Sequence, residues 1–125
     1  MIFISDILAF VYGWYWSVQY VDSIHHFLGG LWIASVVCSF LNIRKKIFDI
    51  KKSFLVSLIL VLGVVAIAGI GWEFFEFGLE KYAETQIVVY EKLGLQDTLA
   101  DLFFDILGGL IFAILYLLSF REKLG

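Results

Sequence analysis

Apolar runs of bilayer length alternate with short charged stretches along this chain, and the alternation predicts helices throughout. Residues 22 to 43 open on Asp22, His25 and His26, then run apolar through Trp32, Val36 and Leu41 to Asn42. That is about 33 Å at the usual helical rise, enough to cross a hydrocarbon core. Residues 53 to 79 form a second such run, with Gly63, Gly69 and Gly71 along it and Glu73 and Glu76 near its far end. Residues 97 to 120 form a third. A shorter segment, residues 1 to 21, ends in Tyr12, Trp14, Tyr15, Trp16 and Tyr20, which suits the headgroup boundary. It carries Asp6 and neither Lys nor Arg, so it reads as a short retained helix and not as a cleaved signal peptide. Residues 80 to 96 are polar with one apolar face, Tyr82, Ile87, Val88, Tyr90 and Leu93, and predict an amphipathic helix on the membrane surface between the last two spans.

The expected fold is therefore all-α: an integral membrane four-helix bundle, three full spans plus the short amino-terminal helix, in a single transmembrane domain over residues 1 to 125. Composition agrees. A hydrophobic content of 62% and a mean hydropathy of +0.94 are too apolar for a soluble domain of this size, and they leave no room for a separate soluble catalytic module. The chain has no proline, so the helices should be fairly straight. The lone Cys38 lies in an apolar run, which excludes a disulfide framework or a thiolate metal site and makes it a small packing residue.

Charge sets the orientation. The 44 to 52 connection, RKKIFDIKK, holds five of the nine basic residues and should be cytoplasmic, with Arg121 and Lys123 marking a second cytoplasmic end. With that alternation, the outer side receives nine acids against Lys81 and Lys92, and the inner side seven basic residues against Asp49 and Glu122. The expected location is a cell membrane, crossed several times, with the 80 to 96 segment outside. A nucleic-acid partner is not expected; membrane lipid is, and a homo-oligomer is compatible with the pattern.

The acids inside the apolar runs carry the candidate chemistry. Asp97, Asp101 and Asp105 recur every four residues and form one helical stripe, roughly continued by Gly108 and Gly109. An Asp in mid-span disfavours insertion by roughly 2.5–3.5 kcal/mol, so the stripe should face protein partners. Asp22, His25 and His26 are an i, i+3, i+4 set, followed by Gly29 and Gly30, and Glu73 and Glu76 are i, i+3 partners. Counted from the outer helix ends, His26, Glu73, Asp101 and Asp105 lie about 5–10 Å deep and could meet. Oxygen and imidazole ligands without thiolates suit a divalent metal ion, Zn²⁺, Mn²⁺, Fe or Mg²⁺, so His26, Glu73, Glu76, Asp101 and Asp105 are candidate ligands, with Asp22, His25 and Asp97 beside them. Two other readings stand. Several carboxylates in low dielectric could simply hold protons, as in a proton relay or ion path. Asp22, Glu80 and Asp97 could be helix-end residues in water, Asp22 and Asp97 serving as N-caps.

The polar positions resemble a known pattern. Asp22, His26, Phe27 and Gly30, then Glu73 and Glu76, then Asp97, Thr98 and Asp101 ahead of Gly108 and Gly109 follow the order found in the small YjdF-type bacterial inner-membrane proteins, whose function is unassigned. The VanZ-like membrane proteins, linked to glycopeptide-antibiotic resistance, are similar too, and Asp105 stands where their last helix carries an Asn. The resemblance covers residues 22 to 110; the amino-terminal part departs from it, because YjdF-type proteins usually carry more helices before the His-Phe pair. It implies a shared polar site and names no reaction. The functional expectation is a membrane protein with an outward-facing His and carboxylate pocket that binds one or two divalent ions and serves as a hydrolase or transferase on a lipid-linked or headgroup substrate. The alternatives are a cation or proton binding or transport protein without catalysis, a VanZ-like resistance-type protein, and a structural protein in which the cluster only sets helix register.

The topology is open to direct test. In a Cys38→Ser background, a cysteine at position 84 should label from outside intact cells and one at position 46 should label only after lysis; outside labelling at 46 would reverse the orientation.

Overall fold

The computed structural model describes residues 21–43, 53–84 and 95–122, and every one of these segments is helical: α1 (Val21–Ile43), α2 (Phe54–Glu84) and α3 (Leu95–Glu122). The short amino-terminal helix expected over residues 1 to 21 lies outside the described residues but for its last position. All three described helices are long and apolar enough to cross a membrane, over Val21–Ile43, Phe54–Leu79 and Leu95–Ser119. The expected spans are therefore present, and the described residues contain no strand. Residues 80 to 84, expected in a surface segment, instead extend α2 by more than a turn, with Lys81 in its last turn, and residues 85 to 94 lie outside the described part.

Each helix is buried along a stripe that repeats every four residues. On α1 the stripe is His26, Gly30, Ala34, Cys38 and then Leu41. On α2 it is Ser57, Val61, Val65 and Gly69, and on α3 it is Asp101, Asp105, Gly109, Ala113 and Leu117. Small residues dominate because in lipid there is no hydrophobic drive to bring helices together; association depends on close packing and polar contacts, which small side chains allow. One end of the bundle is an apolar cluster of Ala34, Cys38, Leu41, Val61, Val65, Ala113 and Leu117. Here the buried Ser57 hydroxyl donates to the Ser53 carbonyl at 2.8 Å, one turn back in its own chain. The opposite end is polar, because α1 and α3 begin there while α2 ends there.

Between the two ends lies a tier of glycines. A Cβ at Gly30 would land on the backbone carbonyl of Asp105, and a Cβ at Gly108 would land on the backbone carbonyl of Phe27. The two contacts are reciprocal, so α1 and α3 touch backbone to backbone at one height. Gly109 faces Val65 of α2, whose Cγ2 would lie 2.9 Å from an added Cβ, and Gly69 faces the Asp105 carboxylate. Among the described residues, an added Cβ at Gly63, Gly71 or Gly78 would meet nothing within 4 Å, and of the glycines along this helix only Gly69 faces another described helix.

The remaining surface is apolar. On α1 the residues Ile24, Leu28, Trp32, Val36 and Phe40 form an exposed ridge, and Ile59, Ile67 and Phe74 on α2 and Leu99, Phe103 and Leu115 on α3 are exposed as well. A soluble monomer rarely carries so continuous an apolar surface. Lipid is the solvent that fits it.

The glycine tier makes a clear stability prediction. Gly30→Ala and Gly108→Ala should each destabilise the bundle in detergent by about 1–3 kcal/mol or more, since the clash is with backbone that cannot rotate away. Gly63→Ala should stay within about 0.5 kcal/mol of the parent. Equal effects at all three positions in thermal or denaturant unfolding would remove the tier from any role in assembly.

Candidate functional site

His26 sits on the second turn of α1 and is almost completely buried, at 5% exposure. Its ring is enclosed by acids from all three helices. Nδ1 lies 3.2 Å from Asp105 Oδ2, a hydrogen bond between α1 and α3. Nε2, on the other edge of the ring, faces Asp22 Oδ1 at 3.7 Å and Glu73 Oε1 at 3.9 Å. These two distances exceed hydrogen-bond length. His26 Nε2 and Glu73 Oε1 are in fact buried and hydrogen-bonded to nothing among the described residues.

The carboxylates reach this point for local reasons. Asp101 and Asp105 are one turn apart on the buried stripe of α3 and are exposed by only 2% and 5%. Asp22 precedes His26 by one turn of α1, so their side chains stack on one face. Glu73 and Glu76 share a face near the end of α2, with Glu73 one turn beyond Gly69 on the packed stripe. Asp97, in the first turn of α3, is half-buried.

Three sets of ligand atoms lie within 4.8 Å of one another: Asp22, His26 and Glu76; His26, Glu73 and Asp101; and Asp22, Asp97 and Asp101. Two ligands on one ion, each about 2.0–2.2 Å from it, are about 3.4 Å apart in a tetrahedral site and about 4.4 Å apart at most. The 3.7 and 3.9 Å spacings at Nε2 exceed the tetrahedral separation by only a few tenths of an ångström. The donor set of one imidazole nitrogen and several carboxylate oxygens fits Zn²⁺, Mn²⁺ or Fe, and Mg²⁺ less well because of the nitrogen.

Six of the eight residues expected at the site, Asp22, His26, Glu73, Glu76, Asp97 and Asp101, thus come together in ligand-like sets. Asp105 joins through the ring of His26 and belongs to none of the three sets, and neither does His25. Two further residues enter that residue chemistry did not mark. Thr98 hydrogen-bonds the Glu73 side chain across the α2 and α3 interface, and the Trp72 side chain hydrogen-bonds Glu76 one turn along α2. In the sequence Thr98 is marked only as part of the Asp97, Thr98 and Asp101 order shared with the YjdF-type proteins; its partner on another helix cannot be read from that order.

Three apolar helices around a buried imidazole and carboxylate cluster define a multi-pass membrane protein with a polar site inside the bundle. The chain belongs to the family described as "Predicted membrane protein (DUF2238)", which it matches over residues 4–122. The match runs past both ends of the 22 to 110 stretch that carries the YjdF-type resemblance and agrees with it. No curated protein and no solved structure matches the chain.

His26 is the hub, which can be tested without reference to any ion. In the presence of chelator, His26→Leu should destabilise the protein by about 3–5 kcal/mol, because the buried carboxylates around the ring would lose the imidazole they face. Unfolding of the variant at the parent's midpoint would show that the cluster is held by packing alone.

Proposed function

We propose that the cluster binds a divalent cation near the outer surface of the membrane and that the bound ion recognises the headgroup of a lipid or lipid-linked substrate. The observation that carries this reading is the buried Nε2 of His26, without a hydrogen-bond partner among the described residues and facing carboxylate oxygens at ligand spacing. Anionic side chains confined in a low-dielectric bundle need positive charge, and a single imidazole is too little for this many acids. His26, Glu73 and Asp101 would form the inner part of the ligand set, with Asp22 and Glu76 completing it from α1 and α2. Asp97, on the first turn of α3, would lie toward the membrane surface.

The excess of basic residues in the 44 to 52 connection supports an arrangement in which the cluster opens outward. A divalent ion there would neutralise a phosphate and lower the pKa of a bound water, the chemistry needed by a hydrolase or transferase acting on a headgroup. Without turnover, the same ion-binding pocket would serve cation binding or transport.

Protein purified without chelator, in several metals' presence, should carry a stoichiometric divalent ion by elemental analysis. Chelation should lower the Tm and re-addition restore it, because an ion that binds only the folded state stabilises it by about 2.7 kcal/mol at a hundredfold excess over Kd. The ligands must be deprotonated to bind, so the chelator effect should be present at neutral pH and fade on acidification. A protein that carries no ion, gains no stability from Zn²⁺, Mn²⁺ or Mg²⁺, and is stabilised by Asp101→Asn with Asp105→Asn would be a protonated cluster and would end the metal reading. Release of phosphate or headgroup from a lipid phosphate in vesicles would separate the enzyme from the binding protein.

A further inference from the structure

Asp105 is the most deeply placed acid of the cluster, and its position differs in kind from the others. We infer that Asp105 is a positioning residue: it accepts the Nδ1–H bond of His26, holding the ring so that Nε2 presents its lone pair to the ion. The inference rests on the metal reading for its functional meaning, but its structural core stands on geometry alone.

The two nitrogens of an imidazole lie on opposite edges of the ring and cannot both bind one ion. Nδ1 is taken by Asp105 Oδ2 at 3.2 Å, and Nε2 faces Asp22 and Glu73 at 3.7 and 3.9 Å. Asp105 is also absent from every set of ligand atoms that lie within reach of a common ion, whereas His26 belongs to two of them. A carboxylate behind a ligating histidine fixes the ring's orientation, keeps the proton on the far nitrogen and raises the basicity of the ligating one.

The surroundings of Asp105 hold it to that task. Its backbone is pressed against Gly30 of α1, where no other residue would fit. Its carboxylate lies between two further glycines: an added Cβ at Gly69 would be 2.5 Å from Oδ2, and one at Gly29 would be 3.7 Å from Oδ1. The missing Cβ of Gly69 thus leaves the room that the carboxylate occupies, and Gly29 stands at ordinary contact distance beside Oδ1. Precision of this kind is what a ligand-orienting group requires and what a mere counter-charge does not.

The test uses the full chain in detergent with a histidine-free tag, in a His25→Gln background that leaves His26 as the single histidine. Nitrogen-15 spectra of the histidine-labelled protein should show Nδ1 protonated both with chelator and with Zn²⁺, and loading should move the Nε2 resonance. Asp105→Asn, which keeps the shape, should shift the hydrogen-bonded Nδ1–H resonance in the chelated protein and weaken Zn²⁺ binding by about 10–100-fold in titration calorimetry. His26→Gln should weaken binding further. Gly69→Ala, which pushes on the carboxylate without altering its chemistry, should act in the direction of Asp105→Asn.

Zinc found on Nδ1, an unprotonated Nδ1 in the chelated parent, parent-like affinity in Asp105→Asn, or loss of binding in that variant as complete as in His26→Gln would each overturn the proposal. The last outcome would make Asp105 a ligand. If the parent takes up no ion, the metal reading fails by itself, and the Nδ1–H resonance in the chelated parent and in Asp105→Asn still decides whether Asp105 holds the ring. The parent spectrum needs no variant to fold.

Discussion

The backbone contact between α1 and α3, made where Gly30 meets Asp105 and Gly108 meets Phe27, sets the height of everything polar in this molecule. Helices that touch through side chains sit about 8–10 Å apart, a distance that a short Asp side chain and an imidazole do not readily bridge with tight geometry. With glycine on both sides the backbones close in, and the carboxylate of Asp105 arrives within hydrogen-bond distance of His26. The contact also fixes axial register, since each glycine accepts one particular carbonyl of the facing helix. A slip of one residue would place side chains in the path of backbone.

From that register follow the two halves of the bundle. On one side of the glycine tier the four-residue stripes carry Ala34, Cys38, Val61, Val65, Ala113 and Leu117, which pack dry and small against one another. On the other side the same stripes, continued by one or two turns, carry His26, Glu73, Asp101 and Asp105. No change of helix direction or kink is needed to move from packing to chemistry. The cluster is therefore as rigidly mounted as the core, and polar contacts such as that between His26 and Asp105 contribute to helix association in a solvent that offers no hydrophobic drive.

An enclosed group of acids in hydrocarbon is costly, and the protein meets that cost by convergence. Each helix contributes acids, α1 contributes the imidazole, and Thr98 and Trp72 supply hydrogen-bond donors to Glu73 and Glu76. Within this cluster, Nε2 of His26 and Oε1 of Glu73 are buried without a hydrogen bond among the described residues and face each other at 3.9 Å. Localised demand of this sort distinguishes a site from a general excess of charge, because the deficiency has a position and a coordination geometry.

The number and placement of the described spans and their helical character were legible from residue pattern alone. Length and hydropathy are local properties, and an Asp every four residues in an apolar run can only face protein. The identity of six residues in the ligand-like sets was legible for the same reason. The tertiary structure decided what pattern could not: which glycines are contacts, since Gly69 and Gly63 lie in the same apolar run and differ only in what stands opposite them; that Asp105 meets Nδ1 of His26 while Asp22 and Glu73 face Nε2; and that Thr98 reaches Glu73. Each of these depends on the rotation and axial register of one helix against another, and those are set by contacts between residues far apart in the chain, which no periodicity within a single helix encodes.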